Sequence, residues 1–324
     1  MGISIDRVQR HINESCAALR NFAQNANWPR YLFHAAHVQT AVDILRCGYI
    51  SPRADLGVIA HDVANQGALA NNEIAHHYAR LYFRPKNRFH FRTEGIKCLT
   101  DPYRYPCHMS VPIMLAFDAA SVLTAPETAF TDRNFAHQIV PGHDEAYFDQ
   151  INFNDVYHDR PTSADRNNEI QDRRMAEVVF PGNLTLEGHL RFIICRSVFD
   201  RDTLIYLLGP TAAQYRRLMI VEQVRGSTFF HKGLYIKSIS VSGGRLHVGL
   251  KPPDQMPTNG RYDVAVTRIE NGQHFAMAAG EIDANIPAFN VTLPQKNKVT
   301  HVGINLEGVL AYCGPITTEE SSIF

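Results

Sequence analysis

The pattern of apolar residues changes near residue 231, and this change constrains the fold more than any other feature of the sequence. Before it, apolar runs alternate with helical stretches: YLFHAAH, VPIMLAF and LRFIICRSVF are typical of buried strands, and VQTAVDILRCG of a helix ended by Gly48. After it come RLHVGL, RYDVAV, FNVTLP and VTHVGINL, with turn signals such as Asn271-Gly272 between them. The sequence therefore predicts an α/β unit followed by an all-β unit.

These patterns give three predicted segments. Residues 1–27 form an amphipathic helix, because apolar residues recur at three- and four-residue spacing from Ile5 to Leu19. Residues 28–228 form an α/β (α+β) domain with a mixed β-sheet, closed by a helix over 211–227. Residues 229–324 form a small all-β sandwich, with immunoglobulin-like topology as one form that such a spacing of strands takes.

Composition excludes several classes of protein. The formal net charge of the 324 residues is zero, which argues against a protein wholly devoted to coating nucleic acid but allows a local basic groove. No apolar stretch reaches the length of a membrane span, and the N-terminus lacks the apolar core of a signal peptide. The six cysteines are scattered without a C-x-x-C pair, which favours reduced thiols and a cytoplasmic location over disulfides or a zinc site.

Residues 80–92, RLYFRPKNRFHFR, interleave cations with aromatic residues. This combination suits the binding of phosphates and stacked bases. The alternative is a strand with one apolar and one solvated face, and the segment alone does not separate the two interpretations.

Residues 172–180, DRRMAEVVF, place Glu177 at the start of an apolar run. Burying an unpaired carboxylate costs several kcal/mol, so Glu177 needs a partner or a function. The simpler interpretation is an outward-facing first strand residue paired with Arg173 or Arg174.

Two further segments contain polar residues that suit a site. PETAFTDRNFAH predicts a capped turn at Thr131, Asp132 and Asn134. YLFHAAH places His34 and His37 near the end of a predicted strand, although a single histidine there is more often a hydrogen-bonded core residue.

Together these segments resemble the DarT family of nucleic-acid ADP-ribosyltransferases over roughly residues 30–200. HVQTAVDIL is similar to that family's histidine and following helix, YFRPKN to its Y-F-x-P-R-N loop, FTDRNFA to its F-T-D-G-N-A segment, INFND to its I-D-W stretch, and RRMAEVVF to the strand with its catalytic glutamate. The sequence departs from the pattern at four positions: Lys86 replaces an arginine, Arg133 a glycine, Asn152 an aspartate and Phe153 a tryptophan. Lys86 lacks the planar fork of arginine, although Arg84 lies two residues away.

The resemblance implies an ADP-ribosyltransferase fold, NAD⁺ as co-substrate and no metal. Glu177 would stabilise the oxocarbenium-like transition state, with Arg84 and Lys86 as further catalytic residues that neutralise the pyrophosphate. His34, His37, Tyr82, Asp132 and Asn134 would bind NAD⁺.

A single-stranded nucleic acid is the implied acceptor, because a base inside a duplex is hard to reach. Its binding would use the residues Arg84, Lys86, Arg88, Phe89, Arg173 and Arg174.

Three hypotheses about function stay open at this stage. The first is a DNA-modifying toxin of a toxin–antitoxin or phage-defence system, neutralised by a cognate antitoxin that is either a DarG-type macrodomain or another protein. The second is the same chemistry on single-stranded RNA such as mRNA. The third is a non-catalytic binding or regulatory protein, with the all-β unit as its docking module.

Overall fold

The computed structural model describes residues 2–21, 25–57, 73–98, 108–137, 140–223, 226–253, 260–294 and 299–316. Its helices are α1 (Ile5–Ala18), α2 (Val38–Cys47), α3 (Arg88–Thr93), α4 (Ala119–Leu123), α5 (Glu145–Phe148), α6 (Phe153–Val156), α7 (Asn167–Arg173), α8 (Val198–Leu208) and α9 (Ala212–Tyr215). Its strands in the first two thirds of the chain are β1 (Tyr31–His37), β2 (Tyr49–Ile50), β3 (Tyr78–Tyr82), β4 (Pro112–Asp118), β5 (Ala129–Phe130), β6 (Glu177–Pro181), β7 (Leu184–Thr185), β8 (Leu190–Cys195) and β9 (Met219–Val221).

A seven-stranded sheet organises this N-terminal unit, in the order β5-β6-β3-β1-β4-β8-β9. Its neighbours pair antiparallel except β8 and β9, which pair parallel. The predicted mixed sheet is therefore confirmed. Side chains from α1, α2, α4 and α8 join the inner strands in one hydrophobic core, so α1 packs on the same core as the sheet.

Capping residues set the start of α1 and the end of α2. Ser4 caps α1 by accepting a hydrogen bond from the Arg7 N–H at 3.3 Å. Gly48 ends α2 with φ 80°, a left-handed conformation that glycine adopts without a Cβ penalty, as the sequence predicted.

Two predicted elements of the N-terminal unit are wrong in extent. The strand predicted through Phe199 ends at Cys195, because the Ser197 hydroxyl caps α8 by accepting from the Asp200 N–H at 3.1 Å. The helix predicted over 211–227 is only α9, followed by β9, whose Met219–Val221 run pairs with β8 at the sheet edge. Sheet pairing outweighs helix propensity at that edge. Residues 224–225 of that prediction lie outside the described residues.

The C-terminal unit consists of strands. They are β10 (Tyr235–Ser242), β11 (Arg245–Lys251), β12 (Arg261–Glu270), β13 (Gln273–Asp283), β14 (Ala288–Thr292), β15 (His301–Leu306) and β16 (Val309–Pro315). They form two sheets, β10-β11-β14 and β13-β12-β15-β16, whose apolar side chains share one core. The all-β character of this unit is thus confirmed, and its immunoglobulin-like topology stays a prediction. At the predicted Asn271-Gly272 turn both residues have positive φ, 51° and 77°, as a tight hairpin requires.

The two units make contact at several points. Ile96 and Cys98, which follow α3, lie in the core of the C-terminal unit. Leu310 of β16 packs against the core of the N-terminal unit, and the Cys313 N–H donates to the Thr203 Oγ1 of α8 at 3.1 Å. The domain boundary at residues 228/229 stays a prediction. Residues before it lie in the core of the C-terminal unit, and residues after it contact the N-terminal unit.

No helix in the described part of the chain is long and apolar enough to cross a membrane.

Candidate active site

Glu177 is the first residue of β6, and its side chain is fully buried. Arg80 of β3 donates to both carboxylate oxygens, from Nε to Oε2 at 2.5 Å and from Nη2 to Oε1 at 2.6 Å. The backbone N–H of Phe135 adds a third hydrogen bond to Oε1 at 3.1 Å. Three charge-assisted or backbone donors therefore fix the orientation of this carboxylate.

The predicted partner of Glu177 is wrong. The strand does not begin with an outward-facing residue, and neither Arg173 nor Arg174 contacts the carboxylate: Arg173 pairs with Asp132, and Arg174 donates to the His158 carbonyl at 2.8 Å. Sheet register brings Arg80 to Glu177 instead, because β3 pairs antiparallel with β6 and Tyr82 lies directly opposite Glu177. Arg80 is a functional candidate that the sequence placed only among the cations of residues 80–92, without a role in the site. Its alternation with Ala79 and Leu81 on a half-buried strand was a further signal.

Arg80 lies between the buried carboxylate and solvent. Its side chain is 25% exposed, whereas that of Glu177 is 0% exposed. Burial acts most strongly and lowers the pKa of Arg80, but the charge of Glu177, the neighbouring Tyr82 and the hydrogen bond to Glu177 together raise this pKa, so the guanidinium stays charged.

The segment FTDRNFA contacts Glu177 from the other side. The Thr131 N–H donates to the Glu177 carbonyl at 2.8 Å, and the Asn134 Oδ1 accepts from Arg80 Nη2 at 3.2 Å and from the Ala136 N–H at 2.8 Å. The predicted capped turn at Asn134 is therefore present, and it positions an amide beside the ion pair.

His34 and Tyr82 complete the group of side chains around Arg80. His34 Nδ1 lies 3.0 Å from the Arg80 carbonyl oxygen, so Nδ1 donates and Nε2 carries the lone pair. Burial lowers the pKa of His34, which keeps the imidazole neutral. Burial is the main cause that raises the pKa of Tyr82, and the charge of Glu177 raises it further. The phenol therefore stays protonated and remains a donor.

His37 is fully buried. Its Nδ1 accepts from the Gln39 N–H at 3.4 Å and so caps α2, while Nε2 lies 3.0 Å from Ser110 Oγ. The Ser110 hydroxyl in turn donates to the Leu310 carbonyl of the C-terminal unit. Both ring nitrogens are used inside the protein, so this arrangement does not support the predicted contact between His37 and the nicotinamide ribose.

Arg84 is 1% exposed and belongs to the interior. It donates to the Val156 carbonyl at 3.2 Å, to the His158 carbonyl, and to Asp159 Oδ1 at 2.5 Å, and its guanidinium lies 4.7 Å from the Trp28 ring. Burial lowers its pKa to about 10, which leaves it charged. With its Nη1 and Nη2 donors engaged inside the protein, Arg84 is not placed to contact a pyrophosphate or a nucleic acid, and it positions residues 156–159 instead.

Three of the residues that depart from the family pattern contact other residues of the protein. Arg133 pairs with Asp132 at 3.1 Å. The Asn152 side chain caps α6 by accepting from the Asp155 N–H at 3.3 Å, and the Phe153 ring is stacked at 5.9 Å from Tyr157.

Lys86, Arg88 and Phe89 lie at the other end of the loop that follows β3. Arg88 is exposed, and Lys86 and Phe89 are partly exposed. Lys86 Nζ lies 5.7 Å from the centre of the Phe230 ring. These residues are therefore at least partly accessible to solvent.

A cavity of about 180 Å³ lies beside the C-terminal end of α1, lined among others by Asn25, Tyr157 and Asp159. Neither Glu177 nor Arg80 lines it, so this cavity is distinct from the hydrogen-bonded group around Arg80. Among the residues that the structure describes, no group of His, Cys, Asp or Glu side chains is arranged to hold a metal ion.

Comparison with known proteins identifies the family. The sequence model of the single-stranded-DNA (ssDNA) thymidine ADP-ribosyltransferase DarT matches residues 33–223. Solved structures of Thermus sp. 2.9 DarT also match, in complex with carba-NAD⁺ (14% identity, TM-score 0.47, 62% of this chain and 98% of that chain) and with NAD⁺ (14%, 0.48, 62% and 98%). A third, in complex with ADP-ribosylated ssDNA, gives 15% identity, a TM-score of 0.48, and coverage of 62% and 97%. No curated protein matches the chain.

Proposed function

The chain belongs to the DarT family of ssDNA thymidine ADP-ribosyltransferases, and on this premise we propose that it transfers ADP-ribose from NAD⁺ to a base of single-stranded DNA, with Glu177 as the catalytic carboxylate. The observation that carries this assignment is the buried carboxylate of Glu177, oriented by Arg80 and the Phe135 N–H. A carboxylate fixed in this way is preorganised to stabilise positive charge that develops on a ribose.

The hydrogen-bond geometry leaves acceptor capacity for a substrate. A carboxylate offers about four lone-pair positions. Oε1 uses two, toward Arg80 and Phe135, and Oε2 uses one, toward Arg80. Because Arg80 lies between the buried carboxylate and solvent, its side chain would have to shift before the remaining position on Oε2 could accept a hydroxyl of the nicotinamide ribose.

His34, Tyr82 and Asn134 would contact the nicotinamide end of NAD⁺. All three lie around Arg80: His34 bonds its carbonyl, Asn134 bonds its guanidinium, and Tyr82 is opposite Glu177 in the sheet. The neutral imidazole offers an acceptor at Nε2 and the phenol offers a donor, which suits the amide and hydroxyl groups of a nicotinamide riboside. His37 and Arg84 would support the site by holding α2 and residues 156–159.

The proposed reaction needs no metal, because the leaving group, the new bond and the proton are all accounted for by the two substrates and a proton acceptor. The bond between nicotinamide and C1′ of its ribose breaks, and nicotinamide leaves with the electron pair that neutralises its own charge. The acceptor nitrogen of the base forms the new bond to C1′ and loses its proton to a nearby base or to water. The protein's contribution is to orient the two substrates and to stabilise the transition state.

The test of this proposal is incubation of the purified protein with labelled NAD⁺ and single-stranded DNA or RNA of mixed sequence, followed by mass spectrometry of the digested nucleosides. We expect a deoxynucleoside that gains the mass of ADP-ribose with the wild type and not with Glu177→Ala. An adduct only on ribonucleosides would replace the DNA assignment by the RNA alternative. Absence of an adduct on both polymers would contradict the proposed activity.

A toxin role in a toxin–antitoxin or phage-defence system is the biological setting that we propose for this activity, because modified bases obstruct copying of DNA. A cognate antitoxin, either a macrodomain or another protein, would then restrain the enzyme. Expression of the wild type should slow growth, and Glu177→Ala should relieve this effect. Equal growth with both forms would contradict the toxin role while leaving the chemistry in place.

A further inference from the structure

We propose that residues 230–232, which lie beyond the family-matched region, complete a binding surface for single-stranded DNA together with α3. The surface, named here the α3 patch, consists of Lys86, Arg88, Phe91, Phe230 and Lys232. This inference rests on the proposed function, because it assigns the substrate-binding surface of the same enzyme. It assigns a role to a part of the chain that the family pattern does not include.

The side chains of the α3 patch alternate cations with aromatic rings. Phe91 is 43% exposed, and its ring meets that of Phe230 edge to face at 5.3 Å. Lys232 Nζ lies 3.7 Å from the centre of the Phe91 ring, and Lys86 Nζ lies 5.7 Å from that of Phe230. One cation from each segment therefore lies over an aromatic ring of the other segment, which ties their side chains into one surface.

The backbone fixes the two segments relative to each other. Ile96 and Leu234 exchange both backbone hydrogen bonds, at 3.0 and 3.1 Å. Gly95 and Gly233 meet so closely that a Cβ on Gly95 would lie 2.3 Å from the Lys232 carbonyl oxygen. Only glycine allows this approach.

A buried carboxylate adds a second connection. Glu94, 2% exposed, accepts hydrogen bonds from the N–H groups of Phe230 and His231, both at 2.7 Å. His231 adopts a positive φ of 55°, uncommon for a residue other than glycine. The positions of Phe230 and Lys232 are thus determined by α3 and the residues that follow it.

This surface has the chemistry of a single-stranded nucleic-acid site. Lysine and arginine neutralise phosphates, and exposed aromatic faces stack on unpaired bases. The acidic residue nearest in sequence, Glu94, is buried and already hydrogen-bonded, so it does not oppose a polyanion at the surface. The DarT family acts on single-stranded DNA, and we commit to that polymer.

The α3 patch also lies next to the proposed catalytic group. The His90 ring contacts the Tyr82 ring edge to face at 5.8 Å, and His90 immediately precedes Phe91. Tyr82 is opposite Glu177 in the sheet. A single strand of DNA bound along α3 would therefore pass the residues that are proposed to bind NAD⁺.

The experiment measures the affinity of the full-length protein for a fluorescent single-stranded oligodeoxynucleotide by anisotropy, without NAD⁺. We expect Phe91→Ala and Lys232→Ala each to weaken binding about tenfold, in the range found for loss of one stacked base or one phosphate contact. Lys232→Ala should also reduce the slope of log affinity against log salt by about one. Phe91→Leu, which retains an apolar side chain without an aromatic face, keeps the test valid if Phe91→Ala fails to fold.

The matched controls are Phe275→Ala and Lys237→Ala. Phe275 lies on β13 and is 36% exposed, with its ring centre 4.7 Å from the Arg268 guanidinium of β12. Lys237 is exposed on β10. Both should bind the oligonucleotide like the wild type. Equal affinities for the wild type and all patch variants would overturn the proposal, as would equal losses in patch and control variants.

Two outcomes separate this inference from the proposed function. If DNA binds at the patch but forms no ADP-ribose adduct, the inference stands and the proposed activity fails. If an oligoribonucleotide binds more tightly and loses affinity in the same variants, the assignment to DNA is overturned.

Discussion

At the scale of single residues, the partner of Glu177 is a cation 97 residues earlier in the chain. Removing one member of a buried ion pair leaves an uncompensated charge, which costs on the order of 3–5 kcal/mol. We therefore expect Arg80→Ala to lower the free energy of unfolding by about this amount and to abolish ADP-ribosyl transfer. Arg80→Lys keeps the charge without the bidentate fork and should lose less stability. Urea denaturation and the nucleoside assay measure the two effects.

The double variant Arg80→Ala/Glu177→Ala is the control for this prediction. Because it removes both charges, it should unfold closer to the wild type than Arg80→Ala does. Additive losses in the double variant would contradict a direct coupling between the two side chains.

At the scale of elements, α3 and the preceding loop depend on a buried neutral histidine. His90 is 4% exposed, and its Nδ1 donates to the Pro85 carbonyl. Burial lowers the pKa of His90 to about 4, below the ordinary 6.5. As the pH falls from about 6.5 to 4, the unfolded chain gains a proton that the folded protein does not, so the folded protein loses stability. A shift of this size corresponds to roughly 3 kcal/mol.

Urea denaturation at several pH values measures this dependence of stability on pH. His90→Gln retains a donor for the Pro85 carbonyl but does not titrate, so its stability should depend less steeply on pH between 6.5 and 4. His274→Gln, on the exposed strand β13, is the matched control and should retain the wild-type dependence. Identical slopes for the wild type and His90→Gln would contradict the prediction.

At the scale of the whole molecule, the C-terminal unit contributes hydrogen bonds to the interior of the N-terminal unit. Deletion after Ser227 removes the Phe230 and His231 N–H groups from Glu94 and the Leu310 carbonyl from Ser110. It also exposes Ile96 and Cys98, which lie in the other core. Each unsatisfied buried group costs about 1–3 kcal/mol, a large part of a stability of about 5–15 kcal/mol. We expect this truncation to unfold at much lower urea concentration or to aggregate.

The control is Lys237→Ala, at an exposed position on β10 away from these contacts, and it should leave the urea midpoint near that of the wild type. A truncation after Ser227 with a wild-type midpoint would show that the N-terminal unit is independent.

The sequence by itself determined the elements whose signals are local. The apolar periodicity of α1 and α2, the αL glycine at 48 and the Asn271-Gly272 turn depend on neighbours within a few residues, and all were predicted, although α1 spans only Ile5–Ala18 of the predicted 1–27. The change from α/β to all-β near residue 231 was visible for the same reason. Resemblance to a family also singled out Glu177, although it did not give the side chain's surroundings.

Only the tertiary structure decided which distant residues meet. Sheet register selected Arg80 as the partner of Glu177. Packing between distant segments buried Arg84 against Asp159 and Trp28 and brought His37 to Ser110. It also converted the predicted helix over 211–227 into α9 and the edge strand β9. These outcomes depend on pairing between segments far apart in the chain, where hydrogen bonding and burial outweigh local propensity.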